Sequence, residues 1–411
     1  MPDEVTRWLA DAALPLAGVR AGGPTVDLQP LKEVLAGVRV VGLGEATHGT
    51  SEFFQLKHRL LEFLVTELGF NALAMEASAS AGPAVDAYVR HGVGDAARAI
   101  AGLGFWTWRT HEVLAMVEWM RAHNRGRSEE QKVRFIGIDP QRCGNSLVLI
   151  DSFLQEAAPD RVVKLLRPLR VLATAHPGSR PDPERRLVCR ARELLEFLRE
   201  RFPDAAEALE HAGVLLRAAD LVTRDRHQAA PEGAPFAVRD RYMADAVGTV
   251  LDEPSAKVVL WAHNGHVSTS LRGGAPALGR HLRVRCGATY YALGLLFGSG
   301  SFRARRMRSG PWRAPRGGPV VTHRIGPAPA GTVEARLGAA RPDDHFVDLR
   351  GAAAAPTAVR EWLVGSHGTR SFGAMAPRWS YRRQVRPLSP AAAFDGLAYV
   401  ARSSPSLPFP A

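Results

Sequence analysis

The sequence is poor in cysteine and in lysine. Among its 411 residues there are three cysteines, Cys143, Cys189 and Cys286, and only five lysines, although lysine and arginine together number 53. An odd number of cysteines without C-x-x-C spacing argues against a disulfide framework and against a thiolate zinc site. We therefore expect each cysteine to be a small buried hydrophobic residue rather than a nucleophile.

Long apolar runs and targeting segments are also absent. No apolar run reaches the roughly 18 residues that a membrane helix needs. The chain begins Met1-Pro2-Asp3-Glu4 and lacks the basic and apolar regions of a signal peptide. These features predict a soluble, cytoplasmic protein with no membrane partner.

The net charge of +12 comes almost entirely from arginine. The arginines are spread along the chain and interleaved with acids, except in the dense stretch Arg303–Arg316. That stretch also holds glycine, proline and tryptophan, so it predicts a surface loop. Because no nucleic-acid-reading motif accompanies it, we favour a solvated arginine-rich surface over a nucleic-acid groove.

Hydrophobic content of 46% is ordinary for a globular core. Strand-like and helix-like patterns alternate from about residue 38 to 140, which predicts a mostly parallel sheet flanked by helices in an α/β fold. One amphipathic helix is predicted from an N-cap at Ser51 to Gly69, and a second from about Glu112 to His123.

The middle of the chain is rich in Leu, Ala, Arg and Glu and predicts a helical insertion that forms part of the cleft. The sequence thus divides into the first part of the core (1–144), the insertion (145–250) and the second part of the core (251–411). Strands are expected to resume at Lys257–Trp261 and Tyr290–Phe297, with His345–Leu349 and Leu397–Val400 as further candidates. The Pro- and Arg-rich stretch 303–343 predicts an irregular excursion.

Polar residues cluster where five strand-like runs end. In an open α/β sheet, ligands bind outside the carboxyl ends of the strands, so these clusters predict one active site. The runs and the residues that follow them are Val38–Leu43 before Gly44–Gly49, Asn71–Met75 before Glu76, Val133–Ile138 before Asp139–Gln141, Lys257–Trp261 before Ala262–His266, and Tyr290–Phe297 before Gly298–Gly300.

Glu45 and His48 lie three residues apart on one short loop. A carboxylate beside an imidazole fixes its tautomer and makes a general base near neutral pH. Lys57 lies within the apolar stripe of the following helix, where a buried ammonium needs a partner such as Glu45 or Glu76. The alternative to a buried and paired Lys57 is a snorkelling lysine, whose stem lies on the core and whose ammonium reaches water.

Other candidates have weaker signals. Glu76 and Asp139 each follow an apolar strand, but either would also suit a solvated loop or turn. His263 and His266 could bind a metal, donate to an oxyanion, or do neither. The aromatic cluster Phe105–Thr110 offers Trp106 and Arg109 to a substrate pocket, with core packing an equal alternative.

Two catalytic signatures do not apply. There is no G-x-S-x-G, so a serine nucleophile elbow is unsupported. Gly42-x-Gly44-x-x-Thr47 resembles a dinucleotide fingerprint without its third glycine, but Glu45 would place a carboxylate where the pyrophosphate must lie.

Five motifs follow one another along the chain: Gly44–Gly49, Glu76–Ser78, Phe105–Thr110, Gly137–Asp139 and Trp261–His266. In this order they resemble the erythromycin esterase family, over about residues 38–302 and again at Phe394–Val400. The resemblance implies an ester hydrolase that needs no cofactor and no metal. It also implies small-molecule esters or macrolide-type lactones as substrates, and a link to antibiotic resistance.

The resemblance assigns roles as well. His48 would activate water, Glu45 would support it, and Glu76 matches a functional acid of the family. His263 and His266 would line the site, and Lys57 stands where some macrolide-cleaving members carry arginine. Lys57, Arg109, Trp106 and Asp139 are the expected substrate-binding residues. A metal-dependent hydrolase, a lyase using the same base and a non-catalytic natural-product binding protein remain as alternatives.

Overall fold

Strands and helices alternate along most of the chain. A computed structural model describes residues 3–227, 229–310, 313–377 and 380–410, and within 308–317 it describes the backbone without the side chains. The strands are β1 Ala13–Pro15, β2 Val40–Leu43, β3 Ala72–Ser78, β4 Arg134–Asp139, β5 Val258–Trp261, β6 Leu271–Arg272, β7 Ala275–Pro276, β8 Tyr290–Gly310, β9 Arg313–Ile325, β10 His345–Asp348, β11 His367–Thr369, β12 Met375–Pro377, β13 Arg386–Leu388 and β14 Gly396–Ser403. The helices are α1 Glu4–Ala12, α2 Leu31–Val34, α3 Ser51–Leu68, α4 Gly82–His91, α5 Ala96–Gly102, α6 His111–Asn124, α7 Gly144–Ala157, α8 Val162–Leu165, α9 Arg186–Arg201, α10 Ala206–Thr223, α11 Pro235–Leu251, α12 Asn264–Val267, α13 Leu278–Cys286, α14 Val333–Ala340, α15 Thr357–Val364 and α16 Pro390–Ala393.

The central sheet has the strand order β1-β10-β14-β8-β2-β5-β3-β4. The strands from β14 to β4 are parallel, and β10 and β1 add an antiparallel edge. This confirms the predicted α/β class with a mostly parallel sheet. Both further strand candidates are present, as β10 and β14.

Helices cover both faces of the sheet, which explains why β2 and β5 are apolar without alternation. Every residue of these two strands is buried, as expected for parallel strands packed on both sides. Phe53 and Leu64 of α3 pack on one face, and Met243 and Val247 of α11 pack on the other.

Helix α3 ends as predicted at Gly69, whose φ of +70° is the left-handed conformation that glycine adopts readily. Its start differs by one residue, because Thr50 takes the N-cap position and Ser51 begins the helix. Among the described residues, no helix is both long enough and apolar enough to cross a bilayer.

The region 145–250 is helical, with an apolar cluster of its own that includes Ile150, Leu194 and Leu215. Its last helix, α11, behaves differently, because Met243 and Val247 belong to the core beside the sheet. The division of the chain at 144 and 250 stays a prediction.

The Arg-rich stretch is not the surface loop that its composition predicts. Strand β8 continues to Gly310 and pairs antiparallel with β9, with Phe302 opposite His323; residues 311 and 312 lie outside the described residues. Phe302 and Ala304 are fully buried whereas Arg303 and Arg305 are only partly so. This alternation is a strand signal that the glycine and proline content concealed. The expectation of an irregular excursion over 303–343 is also wrong, since β9 and α14 lie within it.

Candidate active site

Strand order alone brings the predicted residues into one row. Strands β2, β5, β3 and β4 are consecutive neighbours in the sheet. Their carboxyl ends carry, in the same order, Glu45, His263, Glu76 and Asp139. Residues separated by more than 200 positions in the chain therefore become adjacent, as the strand-end argument predicts.

The loop after β2 holds the imidazole of His48 against a buried carboxylate. Glu45 is fully buried, and its Oε1 lies 2.7 Å from His48 Nδ1. Because a carboxylate accepts, Nδ1 carries the proton and Nε2 presents its lone pair. No hydrogen bond to Nε2 is formed within the described part of the chain, and the side chain is 11% exposed. His48 is thus prepared to accept a proton.

Glycine is required where this loop begins. A Cβ on Gly44 would lie 2.1 Å from Asn264 Oδ1 and 2.9 Å from the Leu293 carbonyl oxygen. The Asn264 amide donates to the Leu295 carbonyl at 2.9 Å and accepts from the Leu295 N–H at 3.1 Å. The loops after β2 and β5 are therefore fixed against β8 before any ligand binds.

Lys57 pairs with the second oxygen of Glu45. Its Nζ donates to Glu45 Oε2 at 2.7 Å and to the Ala262 carbonyl at 3.1 Å, and it lies 4.7 Å from the centre of the Trp261 ring. Burial lowers the pKa of Lys57 to about 8, against the opposing charge of Glu45. The predicted pairing with Glu45 is present, and Glu76 acts only through its more distant charge. Because Lys57 is fully buried, its contact with substrate stays a prediction, and burial favours a positioning role.

His263 is held as a neutral imidazole next to His48. The Gly265 N–H donates to His263 Nδ1 at 3.0 Å, so Nε2 carries the proton and donates to the Phe372 carbonyl at 3.1 Å. Burial, followed by the charges of His48 and Arg272, holds the pKa of His263 well below its ordinary value. The rings of His48 and His263 are 4.9 Å apart. Both nitrogens of His263 are thus occupied.

His266 has the opposite character. Its Nε2 lies 3.2 Å from Glu76 Oε1, and its Nδ1 lies 2.7 Å from Asp240 Oδ1. Burial opposes ionisation, but Asp240 and Glu76 outweigh it and raise the pKa of His266 to about 9. The raised pKa favours the imidazolium at neutral pH. Both nitrogens lie near carboxylate oxygens, but Nδ1 forms no well-aligned hydrogen bond with Asp240, and Nε2 also lies 3.1 Å from Arg239 Nη1.

Glu76 links the two histidines. Its Oε2 accepts the backbone N–H of His263 at 3.0 Å, and its Oε1 pairs with His266 and with Arg239 Nη2 at 2.7 Å. Burial would raise the pKa of Glu76, yet the charges of His266 and Arg239 hold it well below its ordinary value. Glu76 is therefore ionised, and it positions the loop after β5.

Arg239 and Asp240 are site residues that the sequence analysis missed. The Arg239 guanidinium binds Asp139 through two hydrogen bonds, Nε to Oδ1 at 3.1 Å and Nη2 to Oδ2 at 2.8 Å. Asp139 is fully buried and also accepts from the Gln141 side chain at 2.9 Å. The structure thus gives Asp139 a partner within the protein, and its predicted contact with substrate stays a prediction.

The aromatic segment forms one wall of the site. The Trp108 indole donates to the Glu76 carbonyl at 3.0 Å and meets the His48 ring edge-on at 5.7 Å. Trp106 is partly exposed and lies under the Arg303 guanidinium, 5.5 Å from it. Arg109 is also partly exposed. Burial and the charge of Arg109, opposed by the charge of Glu112, lower the pKa of Arg303. Trp106 and Arg109 are thus placed to meet a ligand, a role that stays a prediction.

In the described ranges, no three His, Cys, Asp or Glu side chains are grouped so that they could hold a metal ion. The charged side chains of the site instead pair with one another. Lys57 pairs with Glu45, while Arg239 and His266 are shared among Glu76, Asp139 and Asp240.

The fold and the site together define an α/β protein with a histidine–carboxylate centre at the carboxyl ends of a parallel sheet. The chain belongs to the erythromycin esterase family, whose model matches residues 65–403; it is thus a hydrolase of ester bonds. The match includes Glu76, His263 and His266. Glu45, His48 and Lys57 lie before it, so their place in the site rests on the geometry above.

Individual relatives agree with this assignment. The chain is 26% identical over 329 residues to erythromycin esterase type II of Escherichia coli, covering 71% of this chain and 77% of that protein. A solved structure from Bacillus cereus superposes with a TM-score of 0.80 at 23% identity, over 99% of this chain and 98% of that one. A variant of the erythromycin esterase EreC in its open conformation gives a TM-score of 0.66 at 20% identity, over 99% of each chain. These two structures support the fold alone.

Proposed function

We propose that the protein hydrolyses a carboxylic ester with a water molecule that His48 activates, without a covalent intermediate. One observation carries the proposal. Of the three imidazoles in the site, His48 is the one with a ring nitrogen in contact with no protein partner in the described residues. Both nitrogens of His263 form hydrogen bonds, and both nitrogens of His266 lie within 3.2 Å of carboxylate oxygens. That nitrogen of His48 belongs to the most exposed of the three residues.

The chemistry follows from the Glu45–His48 pair. His48 Nε2 takes a proton from water, and the resulting hydroxide attacks the ester carbonyl to give a tetrahedral intermediate. Glu45 stabilises the imidazolium that forms, and the imidazolium then returns the proton to the departing alcohol. No serine, threonine or cysteine side chain in the described chain forms a hydrogen bond with Nε2, which supports water rather than a side chain as the nucleophile.

The remaining residues of the site would bind the substrate or position the catalytic side chains. Arg109 and Trp106 are the candidates for substrate contact, with Arg303 beside them. His263 and His266 have no ring nitrogen available to bind an oxyanion. We therefore assign them a positioning role, in which His263 supports His48 and His266 supports Glu76.

The key test is His48→Ala, with His91→Ala on the exposed end of α4 as the matched control. We expect His48→Ala to lose about 10²–10⁴-fold in kcat, the usual contribution of a general base. His91→Ala should keep the parent rate, and both variants should unfold like the parent. Parent-like hydrolysis by folded His48→Ala would refute the mechanism.

We further propose that a macrolide-type lactone is among the substrates, because E. coli relatives are named erythromycin esterases. Mass spectrometry of a lactone panel should show a product heavier by one water. In ¹⁸O-water, hydrolysis places the label in the acid product, whereas a lyase incorporates none. Unchanged ligand after long incubation would indicate a binding protein. Activity lost to a chelator and restored by a metal would favour the metal-dependent alternative.

A further inference from the structure

A cavity lies in the helical region 145–250, apart from the strand ends. It has a volume of about 320 Å³ and is lined by residues of α9, α10 and α11 together with Arg185, which precedes α9. That volume falls at the lower end of the about 300–1,000 Å³ typical of small-molecule sites. The lining combines the apolar side chains of Val188 and Leu216 with the Tyr242 ring.

Positive charge is in excess around this cavity. Asp220 is the acidic residue in the lining, and it already forms an ion pair with Arg185 and accepts from Arg224 Nε at 3.0 Å and from the Tyr242 hydroxyl at 2.7 Å. Arg192 also lines the cavity, and within the described residues it has no carboxylate partner. Two arginines therefore line the cavity together with one carboxylate whose oxygens are already engaged.

The backbone at Arg185 is an independent signal. Its φ is +55°, in the left-handed region that non-glycine residues rarely adopt. Such a conformation costs about 1–3 kcal/mol and persists mainly where the surroundings impose it, often at binding sites. Burial, together with the charges of Arg224 and Arg192, lowers the pKa of Arg185, which reflects the same crowding of cations.

We propose that this cavity binds a small organic anion. Its carboxylate or phosphate group would lie between Arg185 and Arg192, and its apolar part would contact Val188, Leu216 and the Tyr242 ring. An added anion would balance the excess positive charge of the lining. Because Tyr242 stands three residues after Arg239 on α11, the ligand would contact the helix that also supplies the active site.

Cys189 is exposed, contrary to the expectation that each cysteine is buried, and it lines the cavity, so it offers a local probe. Phenyl phosphate carries both an oxyanion and an apolar ring, and inorganic phosphate carries the oxyanion alone. We expect saturating phenyl phosphate to slow iodoacetamide alkylation of Cys189 at least fivefold, measured by peptide mass spectrometry. Alkylation of Cys286, which lies elsewhere on α13, should not change. Inorganic phosphate should bind more weakly in calorimetry.

The control pair comes from α9. Arg192→Ala should weaken phenyl phosphate binding at least tenfold, while Arg190→Ala, an exposed arginine that pairs with Glu193 and does not line the cavity, should leave it unchanged. Thermal unfolding verifies that both variants fold. The proposal is overturned if Cys189 is unprotected, or if Arg192→Ala binds like the parent. Equal affinity for the two phosphates would exclude the apolar contact.

Discussion

A fully buried ammonium is costly, and Lys57 is tolerated because Glu45 and the Ala262 carbonyl both accept from it. Removing one member of such a pair leaves an uncompensated buried charge. Lys57→Met should therefore lower the free energy of unfolding by about 3–5 kcal/mol and reduce kcat, because Glu45 loses the partner that orients it. Urea unfolding and steady-state kinetics measure both.

The matched control is Lys32→Met. Lys32 also pairs with a carboxylate, that of Glu67, but its side chain is 40% exposed. A surface pair contributes about 0–1 kcal/mol, so this variant should be nearly neutral in both assays. Equal losses in the two variants would show that burial does not set the importance of Lys57.

His266 should give the protein a pH-dependent stability. Its pKa rises from 6.5 to about 9 on folding, beside Glu76, Asp240 and Arg239. The folded state binds the extra proton, so this stabilisation is fully present below pH 6.5 and is lost as pH rises through 9. The shift corresponds to at most about 3.5 kcal/mol. Burial gives Lys57 an opposite trend above pH 8.

The window pH 6.5–8 avoids the titration of Lys57, but histidines with a lowered pKa, such as His263, gain stability as pH rises and oppose His266. The test is therefore the difference between the parent and His266→Asn in urea unfolding, and the stability of the parent relative to the variant should fall across this window. Identical slopes in both proteins would mean that His266 does not take up a proton on folding.

Arg239 carries the same sequence signal as Lys57, although it is not among the predicted site residues. At Lys57 a charge interrupts an apolar helix stripe. Arg239 does the same on α11, where Met243 and Val247 follow it at four-residue spacing. What the sequence could not supply is the partner, because Asp139 and Glu76 reach Arg239 only through tertiary packing.

At the scale of elements, the strand ends could be predicted because parallel strands buried on both faces leave an apolar run followed by polar residues. The long β8–β9 hairpin was not predicted, because the glycines and prolines of the stretch concealed the alternation of arginines with apolar residues. Composition suggested a loop where Phe302 and Ala304 define a strand face.

The loop after β2 depends on close contact with β8. A Cβ on Gly49 would lie 2.0 Å from the Arg303 carbonyl oxygen. The N–H of Arg303 donates to the Gly49 carbonyl at 2.9 Å. Gly49→Ala must therefore push the loop away from the strand, and His48 with it. We expect a loss of about 1–3 kcal/mol and at least a tenfold fall in kcat. Gly18→Ala, with no heavy atom within 4 Å, should change neither.

At the scale of the whole molecule, the site is held together by a C-terminal strap, residues 404–410. The Ser406 N–H donates to the Gly49 carbonyl at 3.0 Å, and the Ser404 carbonyl accepts the Ser51 N–H at 3.0 Å. Further on, the Leu407 carbonyl accepts the N–H of His111 at 2.8 Å. The strap thus connects the loop of His48 and the start of α3 to the start of α6.

Stopping the chain after Ser403 should lower both stability and kcat, because these backbone hydrogen bonds fix the loop that carries His48.

Phe409→Ala separates the effect on stability from the effect on kcat. It removes a buried ring, at a cost of about 3–5 kcal/mol, but keeps the hydrogen bonds at Gly49 and Ser51. We therefore expect Phe409→Ala to melt earlier yet turn over substrate like the parent, and the shortened chain to be slower even where circular dichroism shows it folded. If the shortened chain keeps the parent kcat under those conditions, the strap stabilises the fold without positioning His48.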